Sequence, residues 1–504
     1  MAGKVKLEVS EGPMTGKVFL FEDHDTFLFG RSSECQACLP SDPKVSRHHF
    51  ILEVNPPDAC VRDLGSMNGT YVNDLKHGGR GEGEGPEEGA KRQYSEVSLK
   101  DGDRVRAGDT ELVVRVEVPV YCRECGRELP GAARKEHEWV DGTFICPTCR
   151  DKLAAGAGKR DKPPPPEPVR CKKCGKDVSE EASPQGKGDY LCTSCRAQPM
   201  ELIKRLLERA RAGDKGLVAI QGYTISKELG RGGMGAVYLA RHERSGEQVA
   251  LKVMLPQIAA DERAKQMFLR EVDVTKQLRH ANVVEFRDAG CSDGTFFLTL
   301  EFCDGGSVDK LALASGGRLS TKDAVRIVLQ ALDGLDYIHN ATVSVRLADG
   351  RTAVVKGAVH RDMSPQNILL SGPSKVAKVT DCGLAKAFET AGLSGRTRSG
   401  GVAGKLVYMP RQQIVNYKYA KPEVDVWAAA ACLYNMLTGQ FPRDFPRGRD
   451  PVQIILSTDA VPVRKRNPSI PAGLADVIDH ALRDKPEIPF KTAAELKRAL
   501  EGAM

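Results

Sequence analysis

No stretch of this 504-residue chain approaches the ~20 consecutive apolar residues needed to cross a bilayer, and its opening, MAGKVKLEVS, shows no basic-plus-apolar leader. The longest apolar run, VDVWAAAACLYNML, has the length of a buried helix instead. A soluble cytoplasmic protein without membrane partners is the expectation. Charge of one sign is also scarce: 74 Lys and Arg against 67 Asp and Glu leave a formal +7, too little over this length for a dedicated polyanion binder. The 15 cysteines are not read as a disulfide framework, because cytosolic thiols stay reduced and clustered pairs there bind metal or do redox work. What is present is length, enough for two to four domains at ~100–200 residues each.

Three regions differ in texture. Residues 1–118 alternate apolar and polar positions in short runs (KVFLFE, FILEV, TYVN, ELVVRVEV) separated by turns, the pattern of an all-β sandwich. Within it, GGRGEGEGPEEG at 78–89 is too polar to pack and reads as a surface loop. Residues 119–198 hold an internal repeat: CRECGREL with FICPTCR at 119–155, echoed by CKKCGKDV with YLCTSCR at 169–198, across the stiff Pro-rich linker 156–168. PMELIKRLLERARAGD then predicts an amphipathic helix in a linker over 199–221. From 222 to 504, β-like runs precede helical ones. In DAVRIVLQALDGLDYIHN, for example, Val325, Val328, Leu332, Leu335 and Ile338 recur at helical spacing.

The C-terminal region carries a set of motifs in order. GRGGMGAVYLA supplies Gly230, Gly232 and Gly235, whose bare backbone can close over phosphates. VALK supplies Lys252, FLREV supplies Glu271, HRDMSPQN supplies Asp362 and Asn367, and TDCG supplies Asp381. A lone GxGxxG is an ordinary glycine turn; five motifs in sequence are not. The region resembles the eukaryotic-like serine/threonine protein kinases of bacteria, with their bilobal α+β fold. That resemblance implies ATP and Mg²⁺ as cofactors and protein Ser/Thr hydroxyls as substrates. It implies that Lys252 pairs with Glu271 and holds phosphate, that Asp381 and Asn367 hold Mg²⁺, and that Asp362 takes the hydroxyl's proton. It further places Gly233, Val237, Ala250, Glu301, Cys303 and Asp309 around the nucleotide, and Thr397 and Ser399 as phosphosites in the activation loop.

Departures from the family pattern matter as much. Ser364 stands where the catalytic loop carries lysine, and Lys405, in GKLVYMP, stands where the family has threonine. Two readings stay open: Lys405 supplies the missing cation from the other side of the same contact, or it points to solvent. Ala-Pro-Glu reads as PRQ, so the family's glutamate is Gln412, while its arginine partner is Pro489. Losing both members is milder than leaving one buried charge unpaired. Cys382 replaces the phenylalanine of Asp-Phe-Gly and reads as a small apolar filler rather than a redox switch. TVSVRLADGRTAVVKG (342–357) is an insertion expected to form a β-hairpin.

At the other end, FGRSSECQACLPSDPKVSRHHF followed by DLGSMNGTYVN resembles the forkhead-associated domain through Gly30, Arg31, Ser46, His49, Asn68 and Gly69. The resemblance implies that Arg31 and Ser46, assisted by Arg47, hold a phosphothreonine, that Asn68 holds the peptide backbone, and that His49 braces the loop. Cys35 and Cys38 form a CxxC with no second pair near them, a loop coincidence.

Cys122, Cys125, Cys146 and Cys149 form one CxxC…CxxC quartet, and Cys171, Cys174, Cys192 and Cys195 form another. The spacing and the internal repeat point to two tetrahedral four-thiolate zinc sites, and the units resemble zinc ribbons. Coordinatively closed, they would be structural, standing in for a core that ~30-residue units cannot build. Over 121–215 there are 20 Lys and Arg against 15 Asp and Glu, a surplus that the thiolates of two zinc sites would nearly cancel. Protein contact is expected there rather than nucleic-acid binding, with redox sensing through zinc release a further open reading. Taken together, the residues predict a kinase tethered to its own phosphothreonine reader, which recognises phosphorylated Thr397 or partner proteins. The competing reading is an impaired kinase domain acting as a phosphothreonine-dependent scaffold, against which the retention of Lys252, Glu271, Asp362, Asn367 and Asp381 argues.

Overall fold

The computed structural model describes residues 4–22, 25–81, 84, 94–117, 120–122, 128–129, 148–149, 170, 175–177, 207–208, 211, 220–232, 235–254, 272, 275–292, 295–346, 352–381, 406–415, 420–446 and 449–504. Gly233, Glu271, Cys382, Thr397, Ser399 and Lys405 lie outside the described residues, as do Cys125, Cys146, Cys171, Cys174, Cys192 and Cys195. Of the two cysteine quartets only Cys122, which is buried, and Cys149 are described. Among the described residues no group of metal-ligating side chains is assembled, and no helix is long and apolar enough to cross a membrane.

The chain divides into two compact units. In the N-terminal unit the alternating runs become strands β1 (Lys4–Glu11), β2 (Val18–Phe21), β3 (Asp25–Gly30), β4 (Ala37–Cys38), β5 (Phe50–Asn55), β6 (Asp58–Asp63), β7 (Thr70–Val72), β8 (Leu75–Lys76), β9 (Val97–Leu99), β10 (Arg104–Ala107) and β11 (Thr110–Glu117). One sheet runs β2-β1-β11-β10-β7-β8 and the other β4-β3-β5-β6-β9. Period-two patterning puts Val5, Leu7 and Val9 of β1 on the same inner face as Leu112 and Val114 of β11, packed against Phe29, Phe50, Leu52 and Val61 of the second sheet. Phe29 stacks on Phe50 with ring centroids 4.5 Å apart. A short ribbon, β12 (Val120–Tyr121) with β13 (Glu128–Leu129), follows.

In the second unit, β14 (Tyr223–Gly232), β15 (Gly235–His242), β16 (Gln248–Met254), β17 (Phe286–Ser292) and β18 (Thr295–Glu301) form an antiparallel sheet in the order β14-β15-β16-β18-β17. Its two faces are distinct. Ala236, Tyr238, Ala240, Val249, Leu251, Val253 and Phe297 bury one face, and Leu207 from the segment before the sheet packs into that cluster beside Ile220. Arg211, in the same segment, donates to Thr224 Oγ1 (3.0 Å) and pairs with Glu243 (2.8 Å). Leu207, in the segment that the sequence reads as an amphipathic helix, thus packs into the core of this sheet.

Helices make up the rest: α1 (Val308–Ala314), α2 (Thr321–Asn340), α3 (Arg411–Val415), α4 (Glu423–Thr438), α5 (Pro451–Ser457), α6 (Val463–Arg466), α7 (Ala472–Ala481) and α8 (Ala493–Gly502). α2 starts where Ser320 caps the Asp323 amide, and it buries the Val325, Val328, Leu332, Leu335 and Ile338 stripe read from the sequence. The apolar run VDVWAAAACLYNML becomes α4, buried from Val424 to Leu437 except at Asn435, as a helix apolar on all sides must be. Gly439 at φ 69° ends it in the left-handed conformation. The insertion forms the expected hairpin, β19 (Thr342–Arg346) against β20 (Thr352–Lys356), and β21 (Ile368–Ser371) pairs with β22 (Val376–Val379). Truncating Leu207 to Ala should weaken the small-lobe strands by about 2 kcal/mol, measured as faster amide exchange in β15 and β16; unchanged exchange would show that the segment contributes nothing there.

Candidate functional site

Strand register decides which small-lobe side chains meet. Val237 of β15 lies opposite Lys252 of β16, and Leu239 lies opposite Ala250, so Val237, Ala250 and Lys252 share the face away from Leu207. Lys252 Nζ reaches Asp381 Oδ2 at 2.7 Å across 129 residues. Its expected partner Glu271 lies outside the described residues, so the acidic group that the structure brings to Lys252 is Asp381. Gly230 and Gly232 close β14, and Gly235 opens β15, at the turn of the same hairpin.

The HRDMSPQN stretch is folded around hydrogen bonds to its own backbone. His360, 1% exposed, places Nε2 2.7 Å from the Thr380 carbonyl, next to Asp381. The amides of His360 and Arg361 donate to the two oxygens of Asp425, each at 2.7 Å, and His339 Nε2 lies 2.8 Å from the same carboxylate. Arg361 and Asp381 both sit at φ +62°, a conformation that costs a non-glycine residue free energy and clusters at functional sites. Asn367 Nδ2 donates to the Asp362 carbonyl (2.6 Å) and to Asp362 Oδ2 (3.1 Å). Asp362, Asn367, Asp381 and Lys252 are thereby linked in one constellation. Asn367 and Asp381 bring an amide and a carboxylate, hard oxygen donors of the kind Mg²⁺ takes. Ser364 is buried, and its Oγ has no hydrogen-bond partner among the described residues.

The hinge residues behave differently from one another. The Glu301 carboxylate is held by Lys378 Nζ (2.9 and 3.0 Å) and accepts from the Glu285 amide (3.1 Å), and the Glu301 amide donates to the Glu285 carbonyl (2.8 Å), so its side chain and its amide are both committed. Burial pushes the Cys303 thiol up to about 12, with Glu301 adding to the effect, and it packs as an apolar group against Phe286 and Leu300. Asp309 lies in the first turn of α1 with Oδ1 buried and unpartnered.

Gln412, which the resemblance sets in place of the family's glutamate, makes a neutral contact, donating Nε2 to the Asp484 carbonyl at 2.7 Å. The charge in this region sits on the neighbouring Arg411, which the sequence reading did not single out: its guanidinium pairs with Asp484 and with Asp459 (2.9 Å) and donates to the Thr458 carbonyl (2.6 Å), while its amide donates to Asp484 (2.9 Å). Arg443, 2% exposed, grips the other Asp484 oxygen and lies 4.9 Å over the Trp427 ring. The signal was present as an arginine inside PRQ and an aspartate in DKPEIPF, but nothing local pairs residues 73 apart.

The N-terminal candidates also converge. The Arg31 amide donates to the Ser46 carbonyl (2.9 Å) and the Ser32 amide to the Arg47 carbonyl (3.1 Å), setting two exposed arginines on adjoining strands of loop. A Cβ on Gly30 would fall 2.1 Å from the Arg47 carbonyl oxygen, so only glycine permits that approach. Ser46 Oγ accepts from the Met67 amide (2.9 Å), and Asn68 Nδ2 donates to the Lys44 carbonyl (2.7 Å). His49 is fully buried: Nδ1 accepts from the Ser46 amide (3.0 Å) and Nε2 faces the Gly69 carbonyl (3.2 Å), which places its proton on Nε2. Asp63, missed in the sequence, knits this loop by accepting from Gly65, Ser66 and Gly79 amides and from the Ser66 and Thr70 hydroxyls. Cys35 and Cys38 are free thiols, donating to the Arg47 and Arg31 carbonyls.

Residues 223–488 match the protein kinase domain and residues 27–108 the FHA domain. Serine/threonine-protein kinase PknJ of Mycobacterium tuberculosis is 29% identical over 290 residues, 56% of this chain and 45% of PknJ. The probable serine/threonine-protein kinase PknB of Lactococcus lactis is 31% identical over 267 residues, covering 52% and 39%. PrkC of Bacillus subtilis is 28% identical over 284 residues, covering 56% and 40%. The chain spans less than half the length of these relatives.

Two outcomes are expected. Asp484→Ala takes the carboxylate from the buried Arg443 and leaves Arg411 with Asp459, and should cost about 3–5 kcal/mol of stability, read from urea unfolding followed by tryptophan fluorescence. Burial holds the His49 imidazole below its usual value against the opposing pull of Asp63. Its unfolded form therefore binds the proton first: the stability is complete above about pH 6.5 and falls as pH drops toward the lowered folded value. Melting of the N-terminal unit between pH 7.5 and 5.5 checks this, and a flat profile contradicts it.

Proposed function

This chain belongs to the protein kinase family, and from that footing we propose that it is an ATP- and Mg²⁺-dependent serine/threonine protein kinase coupled to its own phosphothreonine reader. The observation that supports this most is the convergence of Lys252, Asp381, Asn367 and Asp362 through hydrogen bonds among groups far apart in the chain. Phosphoryl transfer is mostly positioning and charge neutralisation, and these groups provide both. Mg²⁺ bound with ATP would offset the charge developing on the transferring phosphoryl group. Lys252 binds phosphate oxygens on one side of Asp381. Asn367, its amide nitrogen committed to Asp362, would hold Mg²⁺ together with Asp381. Asp362, held by that same amide, orients the substrate hydroxyl and takes its proton. The unpartnered Asp309 Oδ1 suits a ribose hydroxyl donor, and the adenine edge is read by backbone at Glu301 and Cys303.

Ser364 Oγ, buried without a partner among the described residues, supports the reading in which a cation arrives from elsewhere, and we assign that role to Lys405. In the N-terminal unit the exposed Arg31 and Arg47 with the Ser46 hydroxyl form the cradle for a phosphothreonine dianion, either phosphorylated Thr397 of this chain or of another copy, or a partner protein. The cysteine quartets are proposed as two closed structural zinc sites.

Mapping autophosphorylation with Mg-ATP by mass spectrometry tests the assignment. Wild type should label Thr397 or Ser399, Asp362→Asn should lose at least about 10³-fold in rate, and Lys405→Ala should lose about tenfold or more; a silent wild type would leave the scaffold reading in its place. Arg31→Ala should abolish binding of a phosphothreonine peptide, and retained binding would end the reader assignment. Zinc content should be two per chain, and chelation should release both with loss of order in residues 119–198.

A further inference from the structure

We propose that Gln413 is a positioning residue for phosphoryl transfer: from helix α3 it fixes the peptide plane that carries Asp362. The inference rests on the kinase reading above and adds a residue outside the motifs that define it. Gln413 is 2% exposed, and its Nε2 donates to the carbonyl of Arg361 at 2.6 Å. A buried amide survives only with its hydrogen bond made, so this contact is the reason a polar side chain sits there.

The carbonyl it holds is the telling one. Arg361 is at φ +62°, a conformation that persists only where the surroundings over-determine it. Its amide is taken by Asp425 and its carbonyl by Gln413. The peptide unit joining Arg361 to Asp362 is planar, and both its polar ends are tied, because the Asp362 amide donates to His360 Nδ1 at 3.2 Å. With that plane fixed at both ends, the direction in which Asp362 projects is fixed too. Release of the carbonyl lets the plane rock about the remaining bond, and the carboxylate swings with it.

Helix α3 can serve as the fixed side of this contact because its first residue is Arg411. The Asp484, Asp459, Leu456 and Thr458 contacts of Arg411 immobilise the backbone two residues from Gln413, and the Gln413 amide itself donates to the Pro410 carbonyl. The ion cluster and the catalytic loop are therefore joined by one side chain, so the segment ending at Met409 and Pro410 reports directly on Asp362.

Gln413→Met, of equal length and without a donor, tests the proposal in the full chain. We expect kcat to fall about tenfold while KM for ATP changes less than about twofold, as misplacement of one reacting group predicts, and amide exchange at residues 360–367 to accelerate. Gln413→Glu, isosteric but unable to donate when ionised, should match Gln413→Met. Wild-type turnover together with wild-type exchange in a folded Gln413→Met overturns the proposal, as does a loss of kcat that only tracks the fraction unfolded by melting. If the wild-type chain has no turnover, the kinase reading fails, and the exchange comparison still decides whether Gln413 holds the loop.

Discussion

Asp425 is a carboxylate at the start of a helix that is otherwise almost wholly apolar, and it is 1% exposed. Burial alone would push such a group toward protonation; the bond from His339 and the charges and amide of His360 more than reverse this and hold the carboxyl below its ordinary value. Its oxygens accept the two backbone amides that open the HRDMSPQN loop. From that contact follow the left-handed turn at Arg361, the reach of His360 to the Thr380 carbonyl, and the placing of Asp381 within 2.7 Å of Lys252. A charge buried in the core of a helical lobe is expensive unless fully paired. Here the pairing partners are the backbone of the site itself, so satisfying the carboxylate and building the site are the same event.

A second buried carboxylate works in the same way. Asp484 is gripped by Arg411 and Arg443, and the cluster gathers the carbonyls of Met409, Leu456 and Thr458 around it. In the N-terminal unit, rigidity comes from hydrogen bonds rather than ion pairs: His49 and Asp63, both buried, bind loop backbone, and the absence of a Cβ at Gly30 lets the two arginine-bearing segments touch.

Much of this was legible before any coordinates. Alternation in KVKLEVS and ELVVRVEV specified β1 and β11; the 3.6-residue stripe in DAVRIVLQALDGLDYIHN specified α2; and the insertion at 342–357 read as a hairpin and is one. These signals are local, because the period of a buried face is set by backbone geometry within the element itself. Motif order placed Lys252, Asp362, Asn367 and Asp381, since each sits at a fixed spacing from punctuating residues. The structural part of His49 was legible for the same reason.

By itself, then, the sequence determined the order of the units, the type of most elements and the residue types gathered for chemistry. Only the tertiary structure decided which charges pair: that Asp381 is the carboxylate on Lys252, that Glu301 spends its side chain on Lys378, that Arg411 rather than Gln412 carries the anchor, and that Leu207 belongs to the small-lobe core. The reason is physical. An ion pair between residues 73 or 129 apart is selected by where helices and strands come to rest and by which solvent-excluded group would otherwise stay unpaired, and no local pattern in the chain encodes either.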